Sequence, residues 1–271
     1  MKTISFAIIA ILISCAVTRV EVSAEIIADV SADVTIDTIV KKSIEAAGGE
    51  KKLASIKTVT LRGAVSVPAQ GVEGTFSIDK KTDRAVMRVD LKGLGEIRYG
   101  WLKDVVYETS DLTGTRIIDG TEREQLLRDL DMTQTFTRLN TLKDLRIDGE
   151  EDVRGQKAWR ITGTTESDTV ETNWIDQTTF LPARMRMIVD TQMGRLEAVV
   201  DFKDYKIIDG LPIPMTTEQA AGPMLMVLKI EEVKINPDIA DAAFDLPDEV
   251  KDLLKTPTTL PAGAPTTMPA K

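Results

Sequence analysis

The side chains in this sequence that could perform acid–base chemistry are carboxylates in two groups, Asp129 with Asp131 and the run Glu150-Glu151-Asp152. A catalytic pair needs two such groups facing one another across a cleft, with environments that push their pKa values apart. Both groups fall at the ends of expected elements, where solvated turn charges are the ordinary reading. Asp29, Asp33 and Asp37 recur every fourth residue but lack the D-x-D-x-D-G pattern of a calcium loop. There is no histidine and one cysteine, Cys15. That removes Ser-His and Cys-His dyads, imidazole metal ligands and an internal disulfide. No GxxxxGK[ST] phosphate loop occurs, and no serine lies in a GxSxG turn. GLGEIRYG (residues 93–100) lacks the third glycine and the strand-to-helix setting of a dinucleotide fingerprint. The expectation is a protein that is not an enzyme and uses neither metal nor cofactor.

Methionine is the residue type that stands out instead. Met87, Met185, Met187 and Met226 occupy the apolar parity of three separate strands. A flexible, polarizable thioether fills gaps in an ordinary core, and it also recurs on surfaces that accept varied apolar ligands. Both readings stay open at this point.

The elements that must position these residues are mostly strands. In PARMRMIVD (residues 182–190) Met185, Met187 and Val189 alternate with Arg184, Arg186 and Asp190, the period of a strand with one dry face. The same alternation sets Val59, Leu61, Val65 and Val67 together, then Ala85, Met87, Val89 and Leu91, then Ile97, Tyr99 and Trp101. Further on it groups Trp159 with Ile161, and Leu196, Ala198, Val200 and Phe202. Each resembles a half-buried antiparallel strand. MLMVLKI (residues 224–230) is apolar at both parities and reads as covered on both sides. Ten or eleven strands are expected in all.

Helices are few. Asp37 reads as the N-cap of a helix carrying Ile36, Ile39, Val40, Ile44 and Ala47 on one stripe, stopped by Gly48-Gly49. A short helix is expected near residues 51–55. Thr121-x-x-Glu124 forms a capping box ahead of Leu126, Leu127 and Leu130. A last helical piece is expected over residues 248–254. One long meander of one-faced strands curls under its own twist. The expected fold is therefore mainly β (α+β): a single long curved antiparallel sheet, an incomplete barrel with a few helices as its lid.

Residue 2 is lysine, followed by an apolar run over residues 4–17 that has signal-peptide length and is too short to span a bilayer. Two processing routes fit. Val22-Ser23-Ala24 suits cleavage after residue 24; Leu12-Ile13-Ser14-Cys15 suits a lipobox, with residues 1–14 removed and Cys15 lipidated. Either way the mature chain is expected in the periplasm or cell envelope, soluble or lipid-anchored, with no transmembrane span. Residues 25–255 form the expected domain. Residues 256–271, rich in proline and threonine, read as a disordered spacer. The net charge of −9, with no basic cluster, excludes nucleic acid and anionic membrane surfaces as electrostatic partners.

Several segments, in this order, carry a family likeness: AAGGEKKLASIKTV (46–59), ITGTTESDTVETNWIDQTTFLPARMRM (161–187), DFKDYKIIDGLPIPMTTE (201–218) and INPDIADAAFDLP (235–247). Together they make the chain resemble the LolA/LolB-like periplasmic lipoprotein-carrier superfamily, the outer-membrane lipoprotein-sorting proteins. The resemblance implies an unclosed barrel with a helical lid and a hydrophobic cavity for lipid acyl groups. Its members include carriers, tethered acceptors and envelope-stress sensors, so fold alone does not choose among them. The expected partner is a lipid or acylated lipoprotein; an envelope protein partner is the alternative, with a packed core. Expected cavity residues are Met87, Val89, Leu91, Tyr99, Trp101 and Trp159 from the first part of the sheet. Met185, Met187, Leu196, Val200, Met226 and Leu228 are expected from the second.

Overall fold

The computed structural model describes residues 34–130, 137–191 and 194–255; the export segment with Cys15 and the Pro/Thr-rich tail lie outside them. The first arm of the sheet comprises β1 (Thr58–Val67), β2 (Val72–Lys81), β3 (Arg84–Leu91), β4 (Gly95–Leu102), β5 (Val105–Ser110) and β6 (Gly114–Ile117). The second comprises β7 (Lys143–Val153), β8 (Gln156–Thr164), β9 (Val170–Asp176), β10 (Pro182–Thr191), β11 (Gly194–Ile208), β12 (Leu211–Ala221) and β13 (Met224–Ile235). Thirteen strands among the described residues thus replace the expected ten or eleven. β6 carries Ile117 as its one large apolar residue, so it shows no alternation to read.

All thirteen make one antiparallel sheet in the order β6-β5-β4-β3-β2-β1-β13-β12-β11-β10-β9-β8-β7. Every neighbouring pair but one is a sequential hairpin. At the β11–β12 hairpin, Asp209 and Gly210 both take positive φ (52° and 78°), the geometry whose twist matches the flanking strands. The exception is the seam between the first and last strands, where Val59 faces Ile235 and Val65 faces Leu228. Pairing the ends of the chain leaves the opening in its middle. The edges β6 and β7 are not paired with each other, and the helix Gly120–Asp129 and the turn Arg138–Thr141 lie between them in the chain, so the barrel stays incomplete.

Among the described residues four helices accompany the sheet: α1 (Ile36–Ala46), α2 (Glu50–Ala54), α3 (Gly120–Asp129) and α4 (Asp248–Lys255). Thr35, not Asp37, caps α1: its hydroxyl accepts from the Thr38 amide at 3.2 Å. Asp37 lies in the first turn, where a negative charge meets the positive helix end. The expected capping box does not form either. Gly120 begins α3, and Asp119 precedes it without a side-chain cap bond. Ile39 of α1 packs with Trp159, Ile161 and Ile175 of β8 and β9, while Ala47 and Leu53 meet Leu211 and Ile213 of β12. α3 packs on β10.

Two strands depart from the expected coverage. The outer face of β3 is covered at Val86, where Ile239 and Phe244 press on it from outside, while Asp90 on the same face stays exposed. That outer cover is fastened by Arg88 donating to the Ala243 carbonyl (3.2 Å) and Arg98 to that of Asp245 (2.9 Å). β13 is covered on one face only: Met224 and Met226 are buried but Leu225 is exposed, since nothing described lies outside that end of the strand.

Candidate functional site: the inner face beneath the crossover

Strand register gathers the methionines. Met87 lies opposite Tyr99, Met185 opposite Val200, Met187 opposite Ala198 and Met226 opposite Gln219. All four belong to one apolar cluster on the concave side, together with Val89, Leu91, Tyr99 and Val200. Trp101, Leu196 and Leu228 are half-buried against its margin. Ile118, Leu126 and Leu130 of the crossover join the cluster from above, with Leu127 packed beside them. The methionines are 3%, 5%, 7% and 3% exposed for Met87, Met185, Met187 and Met226, so this interior is closed.

Trp159 goes elsewhere. It belongs to the cluster beneath α1 and stacks on Phe180 with ring centroids 5.2 Å apart, Lys42 lying over the far ring at 4.8 Å. Alternation gave its face correctly but could not say which helix covers it. On the opposite side of β10 the arginines are outward: Arg184 binds Asp201 through Nε (2.7 Å), and Arg186 stands over the Trp174 ring.

Polar groups on the inner face escaped the sequence reading. Glu108 of β5, opposite Tyr99, is 1% exposed. Arg116 of β6 donates through Nε to Glu108 (2.7 Å) and through Nη1 to Glu122 in the first turn of α3 (2.7 Å). Burial pushes the Glu108 carboxyl above the usual carboxylate range, and Arg116 draws it back only in part. A second buried ion pair lies at the other arm. Arg138, in the 3₁₀ turn Arg138–Thr141 just before β7, donates through Nε to Glu171 Oε1 at 2.8 Å. Asn173 Nδ2 donates to the same oxygen at 3.0 Å, and Arg138 Nη2 lies 3.6 Å from the Met187 sulfur. Glu171 Oε2 has no hydrogen-bond partner among the described residues. In VETNWID the apolar Trp174 invites assignment to the dry face. It faces outward, its Nε1 donating to Glu151, and Glu171 and Asn173 face in.

Of the acidic run ahead of β8, Asp152 behaves as a turn charge, accepting from the Gly155 amide at 2.6 Å in the β7–β8 turn. Asp131 lies outside the described residues. Among the described residues no three acidic or cysteine side chains are placed to hold a metal ion. Two surface grooves lie away from the methionines. One of about 450 Å³ is lined by Arg154, Asp176, Pro182 and Tyr205, the other of about 620 Å³ by Val40, Ile44, Gly48 and Glu50. No helix among the described residues is long and apolar enough to cross a membrane.

No family model and no curated protein matches this chain. Solved structures do. A LolA superfamily protein from Nitrosomonas europaea superposes with a TM-score of 0.54 at 13% identity, over 79% of this chain and 98% of that one. A DUF1329 family protein from Desulfovibrio piger gives 0.47 at 13% identity, over 78% and 97%. The similarity concerns the fold: this chain has the LolA-like sheet and lid, as the sequence resemblance implies.

Proposed function

We propose that this protein binds lipid or lipoprotein acyl chains between the inner face of its sheet and the crossover that carries α3. It does so in the bacterial envelope and without covalent chemistry. The observation that carries the proposal is the methionine cluster lying beneath the one segment that joins the two unpaired edges. Energetics are compatible with entry from the closed state. Leu126 and Leu130 hold α3 down with about 3–6 kcal/mol together, taking the usual value for buried leucines. Seven or so acyl methylenes, at about 0.8 kcal/mol each, supply as much. The methionine side chains can repack around a flexible chain more readily than β-branched residues. The domain is residues 25–255, exported by the leader with either cleavage after Ala24 or lipidation of Cys15, and residues 256–271 serve as a spacer.

Titration with a fluorescent fatty-acid probe tests this. Saturable binding that competes with long-chain lipids supports it; no enhancement at any concentration overturns it.

A second reading is a protein-interaction or sensor module on the same fold. The closed interior favours it, as do Ile117, Leu253 and Leu254, exposed where α4 packs against β6. Its partner is an envelope protein, and it predicts that probe binding is absent while such a partner is retained.

A further inference from the structure

We infer that Glu171 is the polar anchor of this interior and selects acyl ligands whose head group donates a hydrogen bond. A neutral hydroxyl or amide head is favoured over one ending in an anion. The inference rests on the acyl-binding reading above and adds the class of ligand.

Glu171 is 1% exposed, and its two oxygens are treated differently. Oε1 accepts from Arg138 Nε and Asn173 Nδ2; among the described residues Oε2 accepts from nothing. Buried acceptors in folded proteins are almost always satisfied, because an unmet one forfeits the hydrogen bonds it had in water. This acceptor calls for a donor. Its position fits a head group: Glu171 lies opposite Met187 across β9–β10, and Arg138 touches the Met187 sulfur. A chain lying along Met226, Met185 and Met187 brings its head to this carboxylate. The Arg138 guanidinium is already engaged with Glu171, so an anionic head would meet the open oxygen of a carboxylate, like charge against like. A hydroxyl or amide N–H would complete it. The same carboxylate also ties the turn Arg138–Thr141 to the sheet, so the site forms only where that turn meets β9.

The experiment uses the full-length protein and three competitors of equal chain length, monolaurin, lauramide and laurate, displacing the fluorescent probe at about pH 8, where laurate is ionised. Monolaurin and lauramide are expected to bind at least about tenfold more tightly than laurate, a gap of about 1.4 kcal/mol. Glu171→Gln, which removes the charge and keeps the shape, is expected to reduce that preference to about twofold. Laurate binding as well as the others in the unaltered protein overturns the inference, as does an unchanged preference in Glu171→Gln. A crystal structure with monolaurin gives an arm that needs no variant: a ligand hydroxyl on Glu171 Oε2 supports the assignment, and an ordered water there with the head elsewhere overturns it. Binding of all three ligands alike removes this inference alone. No binding of any ligand or probe removes the acyl-binding reading and this inference with it.

Discussion

Arg116 and Glu108 form the joint at which the lid is fixed to the sheet: the guanidinium Nε meets a fully buried carboxylate at 2.7 Å while its Nη1 holds Glu122 of α3. Removing one member of a buried pair leaves the other charged and alone, which costs about 3–5 kcal/mol. Arg116→Met should therefore lower stability by about that much in urea titration. Adding Glu108→Gln should recover most of it. A loss below about 1 kcal/mol for the single variant means that the pair does not fix the lid.

The same carboxylate sets a pH dependence. Because burial raises the folded-state pKa of Glu108 above its unfolded value, the stability linked to its protonated form is present at low pH. That share is lost as pH rises through the folded pKa. Relative to Glu108→Gln, the natural protein should be most stable near about pH 4 and lose ground from about pH 5 upward. Urea midpoints of both proteins across this window check the sign; a constant difference, or one growing in favour of the natural protein with pH, contradicts it.

Trp159 separates the two regions of the inner face. It anchors α1 through Ile39 and Phe180 rather than lining the methionine cluster. Trp159→Ala should cost about 3–5 kcal/mol of stability, as truncation of a buried aromatic does. Probe affinity should stay within about twofold in the folded variant. A larger loss of affinity would return Trp159 to the binding wall.

Tyr107 lies flat over Gly100 of the neighbouring strand, with the Arg98 guanidinium 5.7 Å above its ring. A β-carbon at residue 100 would overlap the ring of this fully buried tyrosine. Gly100→Ala should thus destabilise by about 1–3 kcal/mol or more through overpacking. Combined with Tyr107→Ala the losses should fall short of additive; additive losses would show that the two residues are not in contact.

Much of this was legible in the sequence because period-two patterning acts locally. Met185 and Met187 alternate with Arg184 and Arg186 in the chain and in space, and the curled one-sheet architecture follows from many such strands. What depends on distant partners was not. The seam of β1 with β13 joins residues such as Val59 and Ile235, and nothing near either announces the other. Glu171 is tolerable inside only because Arg138, thirty-three positions earlier, arrives beside it. Trp174 can be buried on the outer face for a matching reason: Glu151 of the sheet edge supplies its acceptor. Of the expected lining, the residues on β3, β4, β10, β11 and β13 come together; alternation rightly groups Trp159 with Ile161, but both pack beneath α1 and not with the methionines.

The central claim is that the methionine face and α3 part to hold acyl chains in the cell. Native mass spectrometry of the full chain purified from its native envelope, with lipid extraction of the same sample, tests it most directly. The account predicts a mass shift that matches an extractable acyl compound and disappears when Met226→Trp fills the interior. A single unliganded mass, with nothing apolar recovered on extraction, would contradict it.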